Sequence, residues 1–334
     1  MSKRVAIFLH GQKGDIMEAS GVLNYKDELW GEDCEITWFI QDDNRDIFKY
    51  NPYLKLEHFP HGYGIPESDM KTIYAARISK DKMEGKPEWF DLSQVKTHDN
   101  KLDITKKHLY EPIIGSFDVG YFPAPHQVPS EKREGVEYSN VSKMIFGIQE
   151  DWTWHPCLFW SDDERKMIKE FTDAFHKNRR TVMLEVFAGS GQSPYYSVET
   201  TKRIMWICRE KLGECNFVFC SDKHLGGISN CGIDNKELFG NEDGFFSAGH
   251  FTPRQVALIN DYADLFIGIS SGISVATSAL GLCGTPKIQW CGSKICSTSA
   301  IANGEFHLVT TDFKTREVAE KEFFGKLEEI LNQI

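Results

Sequence analysis

Short apolar runs punctuate the chain at Val5–Leu9, Glu35–Ile40, Asp118–Phe122, Thr181–Phe187, Asn216–Cys220, Leu265–Ile269 and Lys287–Cys291. They are rich in β-branched and aromatic residues and are bounded by turn residues, the pattern of strands. Between them lie patterns of helical period. These are the segment entered at His10–Ile16, then Tyr138–Gln149, Asp162–Lys177, Glu199–Leu212 and Ile273–Leu282. Ser161 with Glu164 three residues on reads as a capping box, and Thr252-Pro253 as an N-cap followed by proline at the first helical position. In the tail 315–332, Val318, Phe323, Phe324, Leu327, Ile330 and Leu331 fall on one helical face. Strands alternating with helices predict an α/β protein built on parallel sheets.

Composition narrows the class. At 334 residues with 41% hydrophobic content, the chain has room for two domains with real cores. No apolar run approaches the ~18 residues of a membrane span. The basic N-terminus leads only into Val5–Leu9 and has no small-residue cleavage site, so it reads as a first strand rather than a signal peptide. Nine cysteines without a C-x-x-C pair read as reduced thiols of a cytoplasmic protein, Cys220 and Cys291 among them on strands. A net charge of −11 disfavours non-specific attraction to nucleic-acid backbones or anionic lipid. The polar, turn-rich region 60–115 reads either as an insertion carrying acceptor contacts or as short helices without a ligand role.

Candidate chemistry sits at strand-to-helix turns. The strand Leu265–Ile269 runs into Ser270-Ser271-Gly272 and a small-residue helix. Free amides at a helix start attract anions, so Ser270, Ser271, Gly272 and Ile273 form a candidate phosphate pocket. An ordinary βαβ turn fits the same residues. After the strand 181–187, Gly189, Ser190 and Gln192 make either a second amide nest or a plain turn. After the first strand come His10, Gln12, Lys13, Gly14 and Asp15. Asp15 is read as a general base or as a helix cap. Lys13 is read as a phosphate contact or as a solvated lysine, and His10 as a ligand-facing or a packed histidine. No Asp-x-Asp triplet occurs in the chain, so no metal ligands are expected.

Two segments carry a resemblance. One is Phe251–Ile259 followed by Tyr262–Ser293. The other joins Arg4–Leu9, the turn Gly11-Gln12-Lys13-Gly14-Asp15, the strand Glu35–Ile40 and Asn51-Pro52-Tyr53. In this order they resemble heptosyltransferase-type family 9 glycosyltransferases. The resemblance covers roughly residues 3–58 and 180–293 and does not extend over 60–175. It implies the GT-B architecture, with two Rossmann-like domains facing across a cleft. Residues 1–160 would form the acceptor domain and 161–314 the nucleotide-sugar-binding domain. Residues 315–334 would form a C-terminal helix that can return to the first domain.

The resemblance further implies a metal-independent inverting transferase, with no cofactor beyond its nucleotide-sugar co-substrate. Asp15 would be its catalytic base. Ser270–Ile273, Gly189, Ser190 and Gln192 would hold the donor phosphates, and His10, Gln12, Lys13 and Gly14 would line the acceptor side. The acceptor implied is a lipopolysaccharide or surface polysaccharide. Departures from the family pattern are Ser270 for an aspartate, Val275 for a histidine, and no basic residue in 188–193. Open alternatives are a modified DNA base as acceptor, a sugar-nucleotide epimerase, and a non-catalytic nucleotide- or glycan-binding protein. Trp152, Trp154 and His155 are read as a sugar-stacking platform or as interface filling.

Overall fold

The computed structural model describes residues 2–9, 13–40, 42–58, 117–121, 138–149, 151–186, 196–221, 223–224, 233–269, 271–279, 281–282, 284–291, 306–310 and 315–334. The chain divides into two compact units, Met1–Phe159 and Trp160–Ile334.

The first unit is built on strands β1 (Arg4–Phe8), β2 (Glu35–Ile40), β3 (Leu54–His58) and β4 (Val119–Tyr121). They are all parallel, in the order β3-β2-β1-β4. Its helices are α1 (Lys13–Ala19), α2 (Lys26–Trp30) and α3 (Tyr138–Phe146). Val5, Ile7, Ile16, Met17, Trp38 and Phe39 are buried in its core. Trp154 belongs to the same core and is no sugar platform. It is fully buried, and its indole N–H donates to the Glu18 carbonyl at 2.9 Å. Gly21 makes room for it, since a Cβ there would meet the indole at 2.5 Å. Trp152 is half-buried, with its ring 4.8 Å from that of Tyr25.

The second unit begins with α4 (Asp162–Thr172). It continues through β5 (Arg180–Glu185), α5 (Val198–Leu212), β6 (Cys215–Phe219), β7 (Lys223–His224) and β8 (Ile233–Asp234). Then come α6 (Asn235–Phe239), β9 (Phe245–Ser247), α7 (Pro253–Leu258), β10 (Leu265–Ile269) and α8 (Gly272–Ala276). β11 (Lys287–Cys291), β12 (Phe306–Thr310) and α9 (Arg316–Leu331) complete it. Six of these strands form a parallel sheet in the order β12-β11-β10-β5-β6-β9. β7 and β8 pair antiparallel by themselves.

The expected apolar runs supply four of the six strands of this sheet; β9 and β12 were not among them. β10 and β11 have the expected bounds, and β5 and β6 differ from theirs by one or two residues. Both expected helix starts are capping boxes: Ser161 with Glu164, and Thr252 with Gln255. The C-terminal helix α9 buries Ala319, Phe323, Phe324, Leu327, Ile330 and Leu331 in the second unit's core. Val318 departs from the expected face and is 53% exposed. It lies in the first turn of α9, outside the buried row that begins at Ala319. Cys220 and Cys291 are buried free thiols, and burial pushes the Cys220 thiol well up from its ordinary value.

Candidate active site

Both sheets reverse strand order beside their first strand. In the first unit the chain runs from β1 outward to β2 and β3, then returns to place β4 on the other side of β1. In the second it runs from β5 to β6 and β9, then returns to β10 beside β5 and continues outward to β11 and β12. Open α/β sheets take ligands outside the carboxyl ends of their strands at such reversals. The turn after β1 leads to Lys13, Gly14 and Asp15. In chain order β5 is followed by 187–195, outside the described residues, and β10 leads to Ser271-Gly272. All the turns singled out in the sequence therefore follow a strand that flanks a switch point.

In the first unit, Lys13 is exposed and Gly14 and Asp15 are partly buried. Asp15 is the third residue of α1 rather than its N-cap, because the helix opens at Lys13. A carboxylate in the first turn lies beside amides that lack intrahelical acceptors. His10 and Gln12 lie outside the described residues, as do Gly189, Ser190, Gln192 and Ser270.

In the second unit the described residues after β10 resume at Ser271, which leads into α8. Ser271 is the N-cap of α8, with its hydroxyl oxygen accepting the Ser274 N–H at 3.1 Å. The Ser274 hydroxyl donates to the Ile269 carbonyl at 2.5 Å. Ser274 has thus used its one proton, so in the 3.3 Å contact between the two hydroxyls Ser271 is the donor. Gly272 and Ile273 are half-buried, and as the first two helical residues they have no intrahelical acceptor for their amides. The turn therefore offers two amides, with the Ser271 hydroxyl turned toward Ser274.

The helix behind this turn is shorter than the sequence pattern suggests: Gly272–Ala276 rather than 273–282. The hydroxyls of Thr277 and Ser278 donate back to the carbonyls of Ser274 and Val275, at 2.9 and 2.7 Å. Such back-bonding competes with the helical ladder, and Gly281 then adopts φ +90°. A helix of five residues has little macrodipole, so anion attraction here rests on local amides rather than on a long aligned helix.

Several supporting contacts left no signal in the sequence. Tyr196 is fully buried, and its hydroxyl donates to the Gly268 carbonyl at 3.0 Å. It ties the chain entering α5 to β10. Gln289 on β11 donates from Nε2 to the Ile269 carbonyl at 3.3 Å, directly behind the turn.

A buried ion pair lies just upstream. Arg254, on α7, makes a bidentate pair with Glu164 of α4, with Nη1 to Oε2 at 2.8 Å and Nη2 to Oε1 at 2.6 Å. Their side chains are 1% and 7% exposed. Gln255 Nε2 and the Ser161 N–H also donate to Glu164. Burial alone raises the Glu164 carboxyl, but the Arg254 guanidinium and these donors outweigh it and hold the group below the usual carboxylate range. Trp160 donates from its indole to the Arg254 carbonyl at 2.7 Å. The two capping boxes are thereby joined through one ion pair. The first box was legible from its residue spacing and the second only as the N-cap Thr252; their union through Arg254 was not legible, because the partners are 90 residues apart.

Comparison with solved structures places this fold. The chain is similar over 99% of its length to a glycosyl transferase family 9 protein from Veillonella parvula, covering 98% of that chain, with 11% identity and a TM-score of 0.60. It is similar over 99% of both chains to the ADP-heptose lipopolysaccharide heptosyltransferase II of E. coli, with 10% identity and a TM-score of 0.61. The E. coli heptosyltransferase WaaC bound to ADP matches over 97% of this chain and 99% of its own, with 9% identity and a TM-score of 0.54. No protein-family model matches the chain, and no curated protein sequence matches it. At these identities the likeness is one of fold: the chain has the two-unit, Rossmann-like GT-B fold of family 9 glycosyltransferases. Among the described residues no helix is long and apolar enough to cross a membrane, and no group of three or more His, Cys, Asp or Glu side chains is placed to hold a metal ion.

Proposed function

We propose that the protein is a glycosyltransferase that moves a sugar from a nucleotide-sugar donor to a glycan acceptor, with inversion and without a metal. One observation carries this reading. In a chain with the heptosyltransferase fold over nearly its whole length, the strands that precede the glycine-bearing segments of both units flank the switch points of their sheets.

In this reading the second unit holds the donor. The amides of Gly272 and Ile273 take the diphosphate oxygens, with Ser271, Ser270, Gly189, Ser190 and Gln192 as further contacts. The first unit supplies Asp15. The acceptor hydroxyl oxygen bonds to the anomeric carbon as the bond from that carbon to the diphosphate oxygen breaks. The acceptor proton passes to the Asp15 carboxylate, and the negative charge leaves on the diphosphate. Amide and hydroxyl donors aimed at that leaving group stabilise the developing charge. Lys13, Gly14, Gln12 and His10 border the acceptor side. The heptosyltransferase likeness favours a lipopolysaccharide or surface-polysaccharide acceptor and a cytoplasmic enzyme.

The test is transfer or hydrolysis across a nucleotide-sugar panel, abolished by Asp15→Ala. Ser270 and Val275 replace the aspartate and histidine of the family pattern, which favours a second reading, a binding protein without turnover. Nucleotide binding with no turnover on any sugar or acceptor would establish that reading and overturn the first.

A further inference from the structure

Glu185 closes β5 at the switch point of the six-stranded sheet, in register with Gly268 of β10. It is 1% exposed. On its other side β6 ends at Phe219, and Ser221 follows two residues later, half-buried. The Ser221 hydroxyl donates toward both Glu185 carboxylate oxygens, at 3.3 and 3.4 Å. Both contacts run from the hydroxyl to the carboxyl oxygens, so the single hydroxyl proton is directed there and Ser221 Oγ faces any ligand as an acceptor.

The backbone around Ser221 is held in place. Asn235 Nδ2 donates to the Ser221 carbonyl at 2.7 Å, and the Cys220 N–H to the Leu184 carbonyl at 3.0 Å. Asn235 is fully buried, and its Oδ1 has no hydrogen-bond partner among the described residues. The ends of β5 and β6 thus gather a carboxylate, a proton-directed hydroxyl and an amide oxygen. This chemistry opposes phosphate oxygens, which also only accept. It suits a ligand that brings hydroxyl hydrogens.

We propose that Ser221, positioned by Glu185, reads a hydroxyl of the nucleotide sugar, either in its ribose or in the sugar to be transferred. The inference rests on the nucleotide-sugar reading and adds to it a group that recognises hydroxyls apart from the phosphate turn. Ser221 touches the ligand; Glu185 acts through it.

The experiment is calorimetric titration of the full-length protein with ADP, UDP, GDP and CDP. The tightest binder is then compared with its 2′,3′-dideoxy form, its hexose conjugate and inorganic pyrophosphate. Ser221→Ala is expected to weaken the hydroxyl-bearing ligand about tenfold, the size of one hydrogen bond, and to leave pyrophosphate unchanged. A loss that vanishes with the dideoxy form assigns the ribose; a loss seen only with the hexose conjugate assigns the transferred sugar. Glu185→Gln, which can donate to Ser221 and release its proton, is expected to give a smaller loss on the same probes, and Ser221→Thr to restore binding. A Ser221→Ala protein that matches the native one on every probe overturns the inference alone. So does one whose loss is equal on pyrophosphate. A native protein that binds none of the probes overturns the nucleotide reading and this inference with it.

Discussion

Glu164→Gln isolates the buried charge that joins the two capping boxes of the second unit. The substitution keeps the shape of the side chain and an amide oxygen for the Ser161 N–H. It removes the carboxylate that accepts from both terminal nitrogens of Arg254 at 2.8 and 2.6 Å. The guanidinium is then left nearly enclosed without a counter-charge. Breaking a buried pair from one side costs about 3–5 kcal/mol. For a unit of this size each kcal/mol lowers Tm by about 2–4 °C, so Glu164→Gln is expected to lower it by roughly 6–20 °C at neutral pH. Arg254→Met should give a loss of similar size by stranding the carboxylate. The double variant holds neither charge of this pair. Its loss should fall short of the sum of the single losses by about 2 kcal/mol, within the range of directly contacting pairs.

Acid provides a second arm of the same test. The folded-state value of Glu164 is depressed, so its contribution is fully present above the unfolded carboxylate range, near pH ~4.3. It is lost as pH falls through the lower folded value, and the gap between native and Glu164→Gln proteins should close in that window. Thermal and urea denaturation of the four proteins measure all of this. Strict additivity, or a Tm within about 1 °C of native for Glu164→Gln, would refute the reasoning.

Two further predictions address the donor side. Gly272→Val adds a branched side chain where the amides of 272 and 273 are open to a ligand, and should weaken nucleotide binding by about 1–2 kcal/mol in a protein that remains folded; unchanged affinity removes the phosphate site from this turn. Turnover should persist in excess chelator, and activity that disappears and returns with Mg²⁺ or Mn²⁺ would contradict a metal-independent mechanism.

How much of this was legible in sequence follows from where the information lies. β10 and β11 are compact apolar runs with turn residues at both ends, so their bounds could be read directly. β3 escaped notice because Leu54-Lys55-Leu56-Glu57-His58 is an alternating, partly exposed segment without a strong apolar run. The overlong reading of α8 came from small residues that favour helix by composition, while Ser274, Thr277 and Ser278 turn their hydroxyls back on the chain. The candidate turns were visible because glycine and serine after a strand mark a turn into a helix, whether or not it holds a ligand. That the strands before them flank the two switch points was not visible, since strand order depends on which distant segments pair. Glu185 left no signal for the same reason. It is one acidic residue ending an apolar run, and it gains meaning only beside Ser221 and Gly268.

The central claim is that Asp15 takes the acceptor proton, and Asp15→Asn tests it most directly. Asparagine keeps the shape and polarity of the first turn of α1 while removing the base. The account predicts a kcat lower by about 10²–10⁴-fold, with the affinity for nucleotide-sugar donor nearly unchanged, measured by single-turnover kinetics and donor titration on the same preparation. A folded Asp15→Asn protein with near-native kcat would contradict it.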